Sequence, residues 1–238
     1  MAKRLATRYA GRPLSFRRVA MKSPLHYLVR YPSANLLFIQ LLGLLLYPFV
    51  EQEEHGRAII GAFGIIVLAT ALRMVRRSPT IQWLGFILAG CILVLTVLVE
   101  WQGNRHLVVS LAILDAIFYF YAAGSLIAYM MEDQRATTDE LFAVGATFTL
   151  LAWAFAHAYS ACQILQPNSF TAANDPLAAR TWTELLYVSF AILSGVGLSD
   201  IYPIKPMARS LVMLGQFSGV MYIALVVTRL VTLTVRSR

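Results

Sequence analysis

The residues best placed for chemistry lie in one stretch, YVSFAILSGVGLSDIYP, which runs from Tyr187 to Pro203. A short apolar, helix-like run ends there in a turn of glycine, serine and aspartate, and strongly hydrophobic segments lie on both sides. Irregular backbone between membrane segments is tolerated only where it is buried in protein or lines water. The turn is therefore predicted to be a pore or binding loop. The C-terminal dipole end of the preceding helix would favour a cation beside it.

Two titratable residues in other apolar segments are candidates for regulation. Asp115 is the one acid well inside a hydrophobic run, and the sequence shows no evident basic partner on a neighbouring helix. A charge inside a membrane is costly and usually functional or paired, so Asp115 is either a buried, protonated structural group or a regulatory or ligand site. His157 lies near the end of another apolar run, where its protonation could tune the loop by pH.

The remaining polar residues do not form a recognisable catalytic or metal-binding pattern. The histidines at positions 26, 55, 106 and 157 lack metal-ligand spacing with another histidine, a cysteine or an acid. No nucleophile–base–acid set and no phosphate loop is evident. The sequence therefore predicts no enzyme, no cofactor and no metal other than permeant ions.

The composition is that of a membrane protein. Of the 238 residues, 58% are hydrophobic and only 13% are charged, which is far too little charge for a soluble domain of this size. The formal net charge of +8 would suggest a nucleic-acid partner in a soluble protein. Here we interpret it as the bias of basic residues toward the cytoplasmic side of a membrane, and expect no nucleic-acid partner.

Six apolar segments are predicted to be transmembrane helices. They are Ala34–Val50, Ala58–Leu72, Ile81–Val99, Leu107–Met131, Leu141–Leu165 and Met207–Val235. Thr138 is the predicted cap of the fifth helix. Between the fifth and the sixth, Trp182–Leu193 has only about 12 residues, or roughly 18 Å of helix, against a hydrocarbon core of about 30 Å. This segment is therefore predicted to enter the membrane and return to the same side.

Lysine and arginine set the predicted orientation. They are concentrated in the N-terminal arm, in the turn after the second segment and at the C-terminal end. An N-terminus inside the cell places all of these basic ends in the cytoplasm, as the positive-inside rule requires. We expect a multi-pass protein of a cell membrane, the bacterial inner membrane, with both termini cytoplasmic. The basic arm over residues 1–33 either lies on anionic lipid or is a solvated tail.

The stretch from Tyr187 to Pro203 resembles the pore module of the potassium-channel superfamily, in particular small prokaryotic channels. That family has an outer helix, a short pore helix, a filter of the pattern Thr-Thr-Val-Gly-Tyr-Gly-Asp, and an inner helix. The filter pattern aligns with Ser194, Gly195, Val196, Gly197, Leu198, Ser199 and Asp200. The resemblance implies an all-α homotetramer of six-helix subunits with a re-entrant pore helix and filter loop, and permeant monovalent cations such as potassium or sodium. It divides the chain into a four-helix membrane domain over 34–133 and a pore domain over 138–238.

The filter departs from the family pattern at four positions, and three of these departures bear on ion binding. Gly195 lacks the threonine hydroxyl that lines the innermost ion site, and Leu198 lacks the tyrosine hydroxyl that braces the filter. Ser199 replaces a glycine, so it must either strain or change the path of the backbone. Gly197 keeps one glycine of the pattern, and Asp200 keeps the acid whose four copies would form a negative ring at the outer mouth. We expect a weakly selective cation path, or a loop that blocks conduction.

Other expectations concern the inner helix and gating. Gly215 and Gly219 are either a gating hinge or a close-packing face of small residues. Ile223, Val226 and Val227 are candidates for a hydrophobic gate. The fourth segment has no arginine at every third residue, so at most weak voltage dependence is predicted.

Two other functions stay open. A transporter with a re-entrant loop is one, although such proteins commonly carry interrupted helices in both halves and this chain shows one. A pore-like protein that does not conduct, or that is gated differently, is the other.

Overall fold

The computed structural model describes residues 31–50, 56–132 and 137–236. Over these ranges the chain forms seven helices and two short strands. They are α1 (Pro32–Val50), α2 (Gly56–Val75), α3 (Gln82–Gln102), α4 (Arg105–Glu132), α5 (Thr138–Leu165), β1 (Phe170–Ala172), α6 (Trp182–Leu193), β2 (Ile201–Pro203) and α7 (Pro206–Arg236). Most of the predicted basic arm, residues 1–30, and the junction of the two predicted domains at 133–136 lie outside the described residues.

Each predicted apolar segment is a helix in the structure, and the short segment has the predicted bounds, Trp182–Leu193. The predicted cap of the fifth helix was wrong by one residue. Thr137, not Thr138, is the N-cap of α5, and its side chain accepts a hydrogen bond from the amide of Glu140. This cap is stabilising because the first amides of a helix have no partner within the helix.

The predicted all-α fold needs one correction, because β1 and β2 form a two-stranded antiparallel sheet. Its register pairs Phe170 with Pro203, Thr171 with Tyr202 and Ala172 with Ile201. Strands of three residues leave almost no periodic signal in a sequence. The sheet joins the loop that leaves α5 to the loop that follows α6.

Within the described residues, four helical stretches are long and apolar enough to cross a membrane: Gln82–Gln102, Arg105–Glu132, Thr138–Leu165 and Pro206–Arg229. The apolar stretches in α1 and α2, Pro32–Leu46 and Phe63–Val75, have fewer than the 18 residues required of the four longer stretches. The protein is therefore mostly helical and built for a membrane.

α5 is the central helix of the fold. In its most apolar stretch 61% of the residues are buried, against 17% in α3 and 22% in α7. Its buried face is rich in alanine, which lets neighbouring helices approach closely, and it contacts α1, α4, α6 and α7. At its first turn the buried carboxylate of Asp139 accepts hydrogen bonds from the amide (3.1 Å) and the hydroxyl (2.8 Å) of Ser33. The same helix therefore positions both the first helices and the candidate loop.

Candidate functional site

The start of α6 is fixed by a capping box. The Thr181 hydroxyl accepts a hydrogen bond from the amide of Glu184 (3.3 Å), and the Glu184 carboxylate accepts one from the amide of Thr181 (2.7 Å). Both bonds satisfy amides that have no partner inside the helix, and the acid also suits the positive end of the helix dipole. Glu184 thus has the structural role that its position in the sequence favours.

A buried arginine just before α6 holds the same end, and sequence reasoning missed it. The side chain of Arg180 donates to the backbone carbonyls of Asp175 (2.6 Å) and Ala178 (2.6 Å), and lies 3.3 Å from the Glu184 carboxylate. The side chain of Gln163, on α5, bonds both the amide and the carbonyl of Arg180. The spacing of Arg180 and Glu184 by four residues was the available signal, but nothing in it indicated burial.

The end of α6 is set by two glycines. Gly195 has φ +73° and Gly197 has φ +67°, the left-handed region that a side chain disfavours. The Gly195 amide bonds to the Ile192 carbonyl (3.1 Å), and the Gly197 amide bonds to the Ala191 carbonyl (2.9 Å). These bonds satisfy carbonyls at the helix end, as a left-handed glycine after a helix commonly does. Gly195, which the alignment matches to a threonine, therefore terminates α6.

Ser199 does not take the left-handed conformation of the glycine it replaces. Among the described non-glycine residues, only Asn168 and Asp175 have positive φ. Ser199 instead accepts a hydrogen bond at its hydroxyl from the amide of Ile201 (3.0 Å), at the start of β2. The backbone at Ser199 therefore has no left-handed strain, and a changed path relative to the family filter stays a prediction.

In a single chain, most of the loop from Ser194 to Asp200 is exposed. Ser194, both glycines and Asp200 are exposed, and the side chains of Val196 and Leu198 are 71% and 73% exposed. Past the loop, β2 pairs with β1, and the amide of Ile204 donates to the carbonyl of Ser169 (2.8 Å). The loop is therefore anchored before and after, and it presents its backbone and two apolar side chains outward.

α7 packs directly against the end of α6 at two glycines. A Cβ added at Gly219 would meet backbone atoms of Leu193, lying 2.7 Å from its carbonyl carbon and its Cα. A Cβ added at Gly215 would meet side chains, 2.8 Å from the Tyr159 hydroxyl and 3.1 Å from Cγ2 of Ile192. This geometry supports the close-packing interpretation of the two glycines. A hinge at Gly219 stays a prediction.

Further along α7, the predicted gate residues do not share one environment. Ile223 and Val227 are exposed and lie one helical turn apart, whereas Val226 packs against the buried core. Ile223 and Val227 therefore occupy a face that a single chain leaves uncovered. Val226 is the weaker candidate for a gate.

Near the same part of α7, two bonds join it to α5. The Tyr222 hydroxyl donates to the carbonyl of Val144 (2.6 Å), and Arg229 lies 3.4 Å from the largely buried carboxylate of Glu140. An ion pair that is partly removed from water is screened less than a surface pair. The pair therefore ties the two long helices together at the end opposite to the loop.

We expect a double-mutant cycle on this ion pair to show a coupling energy of about 1–3 kcal/mol. Glu140→Gln and Arg229→Gln should each lower the thermal stability of the purified protein, and the double variant should lose less than the sum. Arg209→Gln, at an exposed arginine near the start of α7, is the control and should change stability little. Additive losses at positions 140 and 229 would show that the two side chains do not interact.

The structure brings the two regulatory candidates together, although the sequence showed no evident partner for Asp115. Nδ1 of His157, on α5, lies 3.6 Å from Oδ2 of Asp115, on α4. The His157 ring stacks on Tyr119 with centroids 5.4 Å apart and meets the Trp182 ring edge-on at 5.1 Å. Because Trp182 is the first residue of α6, this pair contacts the helix that precedes the loop.

No clustered metal site is present in the described ranges: no group of three or more histidine, cysteine, aspartate or glutamate side chains there could hold an ion. The oxygen atoms available to a cation at the loop are therefore backbone carbonyls, hydroxyls and the single carboxylate of Asp200.

Comparison with known proteins agrees with this arrangement. A family model described as "Ion channel" matches residues 107–236, which include α4, α5, the α6 loop and α7. No curated protein and no solved structure matches the chain significantly. The matched region is more than half of the 238 residues. A short helix and glycine loop between two long apolar helices, together with this match, show that the chain belongs to the ion channel family of the pore-loop superfamily.

Proposed function

We propose that the protein is a homotetrameric cation channel that discriminates weakly among monovalent cations. The observation that carries the proposal is the exposed, doubly anchored loop between α6 and β2. α6 is too short to cross a bilayer of about 30 Å, and it is followed by a return through the β1–β2 sheet to α7. Such a segment suits a re-entrant pore helix and filter loop. If α6 does not cross the membrane, the other six helices supply six crossings, and both termini lie in the cytoplasm.

The uncovered face of α7 supports assembly around an axis. Seven apolar residues on α7 are more than half exposed on a single chain: Met213, Leu214, Phe217, Val220, Met221, Val227 and Val231. The loop residues Val196 and Leu198 are exposed as well. Lipid could cover part of the helix, but apolar side chains on a loop at the water-accessible end need protein neighbours. Copies of the same chain would supply them, and pore-loop channels of this type use four.

Cations are the favoured permeant ions because of the charges aimed at the loop. The C-terminal end of α6, which carries the negative end of the helix dipole, lies directly before Gly195. Asp200 is exposed at the start of the return path. Four copies of this carboxylate would raise the local concentration of cations at the mouth. No cofactor is proposed, and potassium and sodium are the ions to test.

Weak selectivity follows from the backbone path of the loop. Gly195 serves as the helix terminator, and Ser199 bonds to the amide of Ile201 rather than taking a left-handed conformation. Because Ser199 is not left-handed, we infer that the alternating backbone of Gly195 and Gly197 does not continue to the carbonyl that would complete the potassium coordination of the family. We infer a wider path in which ions keep part of their water.

The reversal potential with potassium on one side of a planar bilayer and sodium on the other tests this proposal. We expect a value close to zero for the purified protein. A value near the potassium equilibrium potential would contradict weak selectivity while leaving a channel. Absence of current at varied pH, voltage and membrane tension would favour the non-conducting or transporter alternatives. Current that depends steeply on voltage would contradict the expectation drawn from the missing arginine repeat in α4.

The location and the lipid contacts follow from the same proposal. We place the protein in the bacterial inner membrane with its basic N-terminal residues on the cytoplasmic side. Anionic lipid is the proposed partner of that arm.

A further inference from the structure

A cavity of about 140 Å³ lies among α2, α3, α4, α5 and the first residue of α6. Its chemically distinctive lining is Asp115, His157 and the rings of Phe63, Tyr119, Trp153 and Trp182. The rest of the lining is aliphatic except for Thr96 and Gly64. The cavity is thus an apolar pocket with one acid, one imidazole and several aromatic faces.

The Asp115 carboxylate is short of hydrogen-bond donors. Its side chain is only 16% exposed, and no hydrogen bond to it from another described residue is present. Nδ1 of His157, at 3.6 Å from Oδ2, is the nearest ionisable group but is beyond normal hydrogen-bond length. A buried carboxylate without donors is unfavourable, so a donor from whatever occupies the cavity would stabilise it. An ammonium ion that lies beside both atoms could donate one N–H to Oδ2 of Asp115 and another to Nδ1 of His157.

The rings around Asp115 suit a cation with an apolar body. Tyr119 and Trp182 both contact the His157 ring, and Trp153 lies 5.7 Å from Tyr119 and 5.4 Å from Trp182 between ring centroids. The Trp153 indole N–H is buried without a hydrogen-bond partner in the described part of the chain. Aromatic faces together with a carboxylate are the chemistry that recognises organic ammonium ions.

We propose that this cavity binds a small organic ammonium ion. Its N–H groups would donate to Asp115 and to the unprotonated Nδ1 of His157, and its hydrocarbon part would lie against Tyr119, Trp153 and Trp182. An apolar cavity of about 150 Å³ holds benzene, so a cavity of about 140 Å³ admits no more than a single ring. Binding does not depend on whether the protein conducts.

A consequence that rests on the proposed function is that the ligand contacts the pore helix. Trp182 lines the cavity and is the first residue of α6. A bound ammonium ion would restrain this residue and so change the current through the loop that α6 supports. Direct binding and current are separate measurements, so the two ideas can fail independently.

Calorimetric titration of the purified protein with benzylamine, at one fixed pH, tests the site. Benzyl alcohol is the neutral comparison, with the same number of non-hydrogen atoms and no charge. We expect saturable binding of benzylamine and at least tenfold weaker binding of benzyl alcohol, because the alcohol has no charge to pair with the Asp115 carboxylate and only one hydrogen to donate to Asp115 and His157. This comparison uses the unaltered protein, so it does not depend on the folding of a variant.

Asp115→Asn should reduce benzylamine affinity by about tenfold or more and leave the weak binding of benzyl alcohol unchanged. Glu100→Gln, which removes an exposed acid at the end of α3 away from the cavity lining, is the charge-matched control and should bind benzylamine normally. Equal affinity for the amine and the alcohol, unchanged amine binding in Asp115→Asn, or no amine binding by folded protein would overturn the proposal. A protein that binds benzylamine but carries no current would contradict the proposed channel function and leave the proposed binding site intact.

Discussion

Replacing Gly219 by alanine is expected to abolish most of the current and to lower the thermal stability of the protein. The added Cβ would meet the Leu193 carbonyl group and lie 2.7 Å from its carbonyl carbon and Cα. Backbone atoms cannot rotate away as the end of a side chain can, so α7 and α6 would have to separate. Overpacking of this kind typically costs about 1–3 kcal/mol and occasionally more. Leu193 directly precedes the loop, so the same movement would displace the proposed filter.

Two other glycines provide matched controls for this substitution. At Gly215 the added Cβ would meet only side-chain ends of Tyr159 and Ile192, so Gly215→Ala should cost less. At Gly124, an exposed position in α4, nothing lies within 4 Å of an added Cβ outside the local helix. Gly124→Ala should stabilise the helix by about 0.5–1 kcal/mol, because alanine restricts the unfolded chain more than glycine does.

Single-channel recording and thermal unfolding of the three variants together test whether the contact between Gly219 and Leu193 supports the current and the stability. We expect the largest loss of current and stability in Gly219→Ala, a smaller loss in Gly215→Ala, and no loss in Gly124→Ala. Normal current and stability in Gly219→Ala would show that α6 and α7 are less tightly packed than the structure indicates. A variant with normal stability but altered open probability would instead favour the hinge interpretation of Gly219.

The sequence predicted the local features of the site well because they depend on neighbouring residues. The length of α6, its acid in the first turn and the glycine turn after Leu193 all follow from composition and spacing over a dozen residues. The helix α6 starts at Trp182 because Thr181 and Glu184, three positions apart, form the capping box. Such signals are readable without knowledge of the rest of the fold.

The features that escaped prediction depend on residues distant in the chain. Asp115 and His157 were each singled out, but their pairing requires α4 and α5 to pack in one particular register. The β1–β2 sheet joins residues on opposite sides of α6. The choice between hinge and packing at Gly219 requires the position of Leu193 on another helix. Long-range packing decides these cases, and a single sequence carries no direct measure of it.

These long-range contacts also explain how the loop between α6 and β2 is held in place. Gly195 ends α6, Gly219 lets α7 approach that end, and β2 fixes the exit of the loop against β1. None of these supports requires the threonine, tyrosine or second glycine of the family pattern. The packing around the loop is therefore independent of the residues in which the loop departs from the family pattern.

The start of α6 is supported by the buried Arg180, and Arg180→Met should destabilise the protein by about 3 kcal/mol. Methionine keeps much of the length of the side chain but donates no hydrogen bond. The carbonyls of Asp175 and Ala178 would lose the guanidinium donor, although Asp175 keeps a bond from the Ala178 amide, and Glu184 would lose the guanidinium at 3.3 Å. Because Glu184 is 36% exposed and Asp175 is an exposed residue, water can replace part of both interactions, and we expect the larger loss at the half-buried Ala178.

The same substitution should change the pore as well as the stability, since Arg180 holds the chain just before α6. We expect the midpoint of thermal unfolding to fall by roughly 6–12 °C for a chain of this size, and the current of the remaining folded protein to become smaller or unstable. Arg180→Lys keeps the charge but not the forked donors, and should recover only part of the loss. Arg209→Met removes an exposed arginine that makes one long bond, 3.3 Å, to the carbonyl of Pro203, and should be nearly neutral. Equal behaviour of the methionine variants at 180 and 209 would mean that burial of Arg180 contributes nothing, and that the capping box of Thr181 and Glu184 positions α6 by itself.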